Sequence, residues 1–279
     1  MALPAPSPSS TAVVTGASSG IGAAIARELA DRGHGVTLVA RREDRLRELA
    51  DELAGRGSDV EVIVCDVADS AARAGLFDEI DRRGLTADIL VNNAGIGTIG
   101  AVTNASVDDE IAQVRVNVEA VIDLTTRAVQ QMVPRGRGAI LNVGSTAGYY
   151  PFPGQAGYAA TKAFVITYTE GLRGELAGTG VTVALLNPGP VRTEFLKKAG
   201  MDERTFADSF PKFLWTPARD VARIAIDALD GDRGTVIPGL PSQLSTRLFQ
   251  FMPRRLLLPL LKNQHPGLKR DIGRDRSAS

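Results

Sequence analysis

Tyr158 and Lys162 stand one helical turn apart in the stretch YAATK, and Ser145 precedes them in GSTAG, at the end of the apolar run AILNV. Positions i and i+4 share one face of a helix, so the phenol and the ammonium can both address a ligand that Ser145 reaches from a neighbouring strand end. Free tyrosine titrates at about 10, too high for base work near neutrality, and an adjacent cation lowers an acid's pKa by about 1 to 3 units. The three side chains therefore suit proton transfer at one oxygen. Tyr158 would give a proton to a carbonyl oxygen during reduction and take one from a hydroxyl during oxidation. Ser145 would hydrogen-bond the same oxygen and steady its charge. A chance YxxxK is not rare, but this chain draws most of its cations from arginine and has no lysine before Lys162. A nucleophilic serine has less support: GSTAG is not a G-x-S-x-G elbow. The histidines, His34 and His265, fall in a helix-strand turn and near the C-terminus, where they read as surface residues.

A second set of residues suits phosphate. TGASSGIG, Thr15 to Gly22, follows the apolar run TAVVT and opens a helical pattern. Gly16, Gly20 and Gly22 are what a tight turn needs if the chain must pass close to a pyrophosphate and offer free helix N–H groups to it. The spacing is TGxxxGxG and not GxGxxG, so the strand-turn-helix context carries the assignment; a glycine loop with no ligand is the alternative. About 20 residues beyond such glycines, dinucleotide folds carry an acid for the ribose hydroxyls or an arginine for a 2′-phosphate. Here the second strand pattern ends in Arg41 and Arg42. A guanidinium fork matches phosphate, which favours NADP(H) over NAD(H). The competing view is a solvated helix start whose arginines Glu43 and Asp44 neutralise. Asp66-Val67 and NNAG, Asn92 to Gly95, follow the next two strand patterns; taken alone, such an Asp is commonly a turn or helix cap.

Strand patterns (TAVVT, VTLVA, VEVIVC, DILVN, AILNV, VTVALL, TVIP) alternate with amphipathic stretches, including Val107 to Met132 and Tyr158 to Leu176. Near-continuous apolar strands separated by helices predict a doubly wound, Rossmann-like parallel sheet with helices on both faces, in a single domain over residues 11–240. Such sheets bind ligands outside the carboxyl ends of their strands, which is where the residues above fall. Residues 1–10, rich in proline, read as a disordered lead-in. Residues 241–279 read as an amphipathic extension and basic tail, able to cover the site, pack on another subunit or touch a membrane weakly. The best apolar run, LLLPLL, is too short to span a bilayer. The 32 basic and 32 acidic residues cancel, which argues against nucleic acid. The single Cys65, read as a buried strand-end residue, excludes an internal disulfide framework and suits the cytoplasm. No metal-ligand spacing is visible.

Taken in order, TGASSGIG, NNAG, Asn117, Ser145, YAATK and NPGPVRT (Asn187 to Thr193) resemble the short-chain dehydrogenase/reductase family in its non-extended form, over roughly Thr11 to Pro238. The resemblance implies hydride transfer between a nicotinamide, from its pro-S face, and a carbonyl or secondary alcohol. It implies that Asn117 holds a water linking Lys162 to solvent, and that Lys162 also bonds the nicotinamide ribose. Ser18, Ser19 and Ile21 join the three glycines around the phosphates. Asp66 and Val67 face the adenine, Asn93, Ala94 and Gly95 lie beneath the ribose, and Pro188, Gly189, Val191 and Thr193 contact the nicotinamide. A homodimer or homotetramer built on the helices of Asn117 and Tyr158 is also implied. The loop YYPFPGQ and an apolar lid at about residues 190–215 point to a bulky apolar small-molecule substrate; steroid, fatty acyl, polyketide and xenobiotic carbonyls stay open. A dinucleotide-binding regulatory protein without turnover is the rival. An extended epimerase would need a GxxGxxG loop and a larger C-terminal domain.

Overall fold

The computed structural model describes residues 3–195, 214–264 and 268. Seven parallel strands form one sheet in the order β3-β2-β1-β4-β5-β6-β7. They are β1 Ser10–Thr15, β2 Val36–Ala40, β3 Val60–Val64, β4 Thr86–Asn92, β5 Gly138–Val143, β6 Val181–Leu186 and β7 Thr235–Val236. Every residue of β1, β2, β5 and β6 is buried, as runs such as VVT and AILNV require of strands covered on both faces. β3, at one edge, is only partly covered.

Ten described helices wrap the sheet: α1 Gly20–Asp31, α2 Glu43–Ala54, α3 Ser70–Ala74, α4 Leu76–Arg82, α5 Val107–Val114, α6 Ala120–Arg135, α7 Ala156–Glu175, α8 Ala218–Asp230, α9 Leu240–Phe251 and α10 Arg254–Gln264. One apolar layer joins α1, α2 and α8 to the sheet through Ile25, Leu29, Leu46, Ile226 and Leu229. The other joins α4, α6 and α7 through Ile80, Leu124, Met132 and Leu172. Fully burying one such side chain stabilises the fold by about 1.5–3 kcal/mol. The chain runs outward from β1 to β3, returns to β4 beside β1, and continues the other way. The carboxyl ends of β1 and β4 therefore flank the topological switch point, the natural crevice of such a sheet.

Three sequence expectations change. The proline-rich lead-in is ordered from Leu3: its N–H donates to Asp230 Oδ1 at 2.9 Å, Leu3 packs on the core, and Ser7 and Ser10 close a turn into β1. Proline restricts φ, so these residues lose less entropy on ordering than a flexible arm would. The stretch Val107–Met132 is not one helix, because a π-helical turn, Arg115–Glu119, joins α5 to α6. His34 is buried and not on the surface, and burial lowers its pKa. Residues 196–213, most of the expected lid, the histidine at 265 and nearly all of the basic tail lie outside the described residues.

Candidate active site

A cleft of about 610 Å³ lies at the carboxyl ends of the strands. One half is the glycine loop, and the other is walled by Tyr150, Phe152, Phe195, Leu214, Phe249 and Leu261.

The loop leaves β1 at Thr15, whose side chain holds the turn. Thr15 Oγ1 donates to Val91 O at 3.0 Å and accepts the N–H groups of Asn93 and Ala94. Asn93 Nδ2 returns the contact by donating to Thr15 O at 2.9 Å, so the end of β4 is bolted to the end of β1 across the switch point. This close approach explains two glycines. Gly16 has φ +66°, and a Cβ there would come within 2.9 Å of Ala94 Cα. A Cβ on Gly22 would meet the carbonyl of Gly16. Ser19 begins α1 with extended backbone and makes no side-chain cap, which leaves first-turn N–H groups facing the cleft.

The two arginines after β2 do different things. Arg42 donates to Ser18 Oγ at 3.1 Å and to Glu194 Oε2 at 2.9 Å, tying the glycine loop to the segment after β6. The neutralisation expected from Glu43 goes elsewhere, since Glu43 pairs with Arg47. Arg41 keeps its side chain 64% exposed at the cleft wall, with Nη1 3.6 Å from Asp66 Oδ2.

At the other half, β5 delivers Ser145 as the cap of a short 3-10 turn, Thr146–Tyr149, where its Oγ accepts the Ala147 N–H at 3.1 Å. α7 presents Tyr158 and Lys162 to the same wall, one turn apart. The Tyr158 ring packs on Phe195 at 5.5 Å between centroids, and a Cβ on Gly97 would strike it at 2.9 Å. Lys162 is 5% exposed, and its Nζ donates to Val143 O at 2.8 Å while lying 5.9 Å from the centre of the Tyr158 ring. The expected lowering of the phenol is not what this geometry gives. Burial pushes Tyr158 up to about 12, against the hydrogen bond from Ser145, and burial pushes Lys162 down to about 8. Low dielectric disfavours both charged forms, and the ammonium is turned toward a strand carbonyl.

Asn117 sits in the π-turn and is fully buried. Its Nδ2 donates to Ile96 O at 2.8 Å and to Thr161 Oγ1 at 3.0 Å, and its Oδ1 accepts the Ile96 N–H at 3.0 Å. Both amide hydrogens are thus used in bracing the NNAG turn against α7. Gly95 lies between Asn117 and Lys162: a Cβ there would be 3.4 Å from Asn117 Oδ1 and 3.5 Å from Lys162 Nζ.

Of the residues singled out from sequence, Ser18, Gly20, Ile21, Val67, Pro188, Gly189, Val191 and Thr193 join those above in lining the cleft; Gly22 and Asn117 stand behind the wall. Sequence patterning missed Ser242, Ser245 and Phe249 on α9 and Leu261 on α10, which also line it. The apolar spacing in that segment marks the opposite face of α9, so no local signal pointed inward. Cys65 is buried as expected, with its thiol pushed up to about 11 by burial.

Residues 10–204 match the family described as short chain dehydrogenase. The chain belongs to the short-chain dehydrogenase/reductase family. It is 35% identical over 246 residues to sulfoacetaldehyde reductase 2 of Chromohalobacter salexigens, a match covering 87% of this chain and 94% of that one. An NADP-dependent 3-hydroxy acid dehydrogenase of Salmonella typhi is 39% identical over 196 residues, covering 69% of this chain and 78% of its own. Among solved structures, a short-chain dehydrogenase from Sphingobium yanoikuyae in complex with NADPH superposes with a TM-score of 0.76 at 31% identity, covering 88% of this chain and 96% of that one. A bulky-bulky ketone specific alcohol dehydrogenase from Comamonas testosteroni gives a TM-score of 0.72 at 28% identity, covering 88% and 95%. As a member of this family, the chain is an oxidoreductase.

Its cleft fits a nicotinamide dinucleotide on its own residues. Gly16 and Gly22 leave no room for a Cβ, α1 begins uncapped, and Arg41 and Arg42 stand at the phosphate end.

Proposed function

We propose that the protein is an NADP(H)-dependent carbonyl reductase and alcohol dehydrogenase, with Ser145, Tyr158 and Lys162 as its proton relay and a bulky apolar substrate. The observation that carries this proposal is the meeting of the Ser145 hydroxyl, the Tyr158 phenol and a buried Lys162 on one wall of a cleft whose other half is a phosphate-type glycine loop. A bound NADPH supplies the hydride.

The chain's own part is to hold and move a proton. With its pKa at about 12, the Tyr158 hydroxyl keeps its proton at neutral pH and donates it to the carbonyl oxygen. Ser145 Oγ, hydrogen-bonded to that phenol, donates to the same oxygen as charge develops there. Lys162, held by Val143 O, sits one helical turn from the phenol, where its cation steadies the phenolate that forms after transfer. Asn117 is a positioning residue that fixes the turn under Lys162. The aromatic wall made by Tyr150, with Phe249 at 5.3 Å and Phe152 at 6.1 Å, excludes water from this half.

Arg41 supports NADP(H): its guanidinium is exposed beyond β2, whereas Arg42 is engaged with Ser18 and Glu194. NADPH in a neighbouring structure and NADP in a relative's name agree with it. Among its described lining residues the substrate half has Lys162 as its one cation, beside a wall of Tyr150, Phe152, Phe195, Leu214, Phe249 and Leu261. That apolar wall supports an apolar ketone as substrate. A homodimer or homotetramer through α5 and α6 accounts for Val107, Ile111, Val114 and Ile122, which are exposed on those helices. No described helix is long and apolar enough to cross a membrane; with an inert, buried Cys65 thiol, we place the protein in the cytoplasm.

The test is turnover of a carbonyl panel, from sulfoacetaldehyde to bulky aryl and alicyclic ketones, with NADPH and NADH in parallel. Consumption of NADPH with bulky ketones supports the proposal. Consumption restricted to small anionic aldehydes, or to NADH, overturns the substrate or the cofactor assignment respectively.

A further inference from the structure

Helix α9 presents to water the kind of apolar stripe that an amphipathic helix ordinarily buries. Its inward face carries three small polar residues and one aromatic: Ser242 and Thr246 are each 2% exposed, and Ser245 and Phe249 line the cleft. Its outward residues are large and apolar: Leu240 is 65% exposed, Leu244 58%, Leu248 60% and Phe251 80%. At 3.6 residues per turn these four, with Arg247 among them, fall within an arc of roughly 100°. A water-exposed helix normally buries its apolar stripe and exposes its polar one. After Pro253, α10 turns Leu257 and Leu261 inward and leaves Leu256, Leu258 and Leu260 exposed.

Charge singles out what this stripe meets. Leu240 to Gln264 carries Arg247, Arg254, Arg255 and Lys262 and no acidic residue, in a chain whose 32 basic and 32 acidic residues cancel as a whole. The sequence beyond adds Lys269, Arg270, Arg274 and Arg276 against Asp271 and Asp275. A two-fold contact with a second copy would set this acid-free cationic segment against itself, with nothing in it to pair the charges. An anionic lipid surface satisfies both halves of the pattern: headgroups attract the arginines, and the Leu and Phe side chains bury at the acyl boundary. Neither helix approaches the roughly 20 residues needed to span a bilayer, so contact would lie in the plane of the interface.

We propose that the outer face of α9, with the start of α10, docks reversibly on anionic membrane surfaces. The proposal does not depend on the catalytic assignment, and its test uses no activity measurement. The purified full chain is sedimented with vesicles of phosphatidylcholine alone and of phosphatidylcholine mixed with phosphatidylglycerol, at low and high salt. The expected result is binding to the mixed vesicles that weakens with salt. An Arg247→Gln, Arg254→Gln, Arg255→Gln variant should bind roughly 100-fold more weakly, at about fivefold for each charge. A Leu244→Gln, Leu248→Gln, Phe251→Gln variant, with its charge unchanged, should bind at least about tenfold more weakly. Both alter exposed side chains only, and matching far-UV circular dichroism shows that the fold is kept. Absence of vesicle binding overturns the proposal, as does equal binding to both vesicle types that neither variant changes. An oligomer that the Leu/Phe variant dissociates, in a protein that ignores vesicles, would assign the stripe to a second copy instead.

Discussion

Replacing Lys162 with Met separates the electrostatics of the site from its chemistry. Burial drops the ammonium from its ordinary 10.5 to about 8, which at about 1.4 kcal/mol per pH unit means the fold carries a charged Lys162 at neutral pH against about 3 kcal/mol. Met is unbranched and one heavy atom shorter, and it removes that opposition. It also removes the 2.8 Å bond to Val143 O, a loss of about 1–2 kcal/mol. The variant should therefore be more stable than the parent by about 1–2 kcal/mol at pH 7. The pH dependence has a definite sign. A lysine whose folded pKa is depressed binds more protons in the unfolded chain between pH 8 and 10.5, so the parent gains stability as pH rises through that window. By pH 10 the opposition has fallen by about 2 kcal/mol, and the advantage of Met should be gone or reversed. Cys65, raised to about 11, weakens both proteins above pH 9 and cancels in the comparison. Urea unfolding of the two proteins at pH 7 and pH 10 measures the difference. A variant less stable than its parent by the same amount at both pH values would refute the argument, because the bond to Val143 would then outweigh the desolvation.

Three further outcomes follow from the geometry. Arg41→Ala should raise the KM for NADPH by about 10- to 100-fold, the value of one charge-assisted contact, and leave that for NADH nearly unchanged; steady-state kinetics with both cofactors checks this. Gly16→Ala combines a φ of +66° with a Cβ pressed on the Ala94 backbone, so NADPH binding measured by fluorescence should fall at least about tenfold and the melting temperature should drop. Asn117→Ala leaves Thr161 and both polar groups of Ile96 short of a partner and should lower stability by about 2–4 kcal/mol in urea unfolding, with kcat falling more than the KM for NADPH changes.

The fold was legible wherever neighbours in sequence are neighbours in space. Strand runs such as AILNV are apolar without alternation because both faces are covered, and TGASSGIG reads as a turn because its backbone needs glycine. Ser145, Tyr158 and Lys162 were legible because a strand end and one helical turn bring them together. What could not be read depends on distant partners. The lead-in is held by Leu3 on Asp230, which no local pattern announces. Asn117 entered the site through the family resemblance alone, since its hydrogen-bond partners Ile96 and Thr161 are distant in sequence. The expected lowering of Tyr158 overlooked that the pocket desolvates both groups and that Lys162 has a nearer partner in Val143. In α9 the apolar spacing marks the outer face, while Ser242, Ser245 and Phe249, which line the cleft, form no pattern of their own.

The most direct measurement is single-turnover reduction of a bulky ketone by Tyr158→Phe, set beside the affinity of the same variant for NADPH. Removing only the phenolic oxygen should slow the chemical step by about 10²- to 10⁴-fold, with the dissociation constant for NADPH held to within a fewfold of the parent. A variant that reduces the ketone at the parent's rate would show that the proton reaches the substrate by another route, and the relay proposed for Ser145, Tyr158 and Lys162 would be wrong.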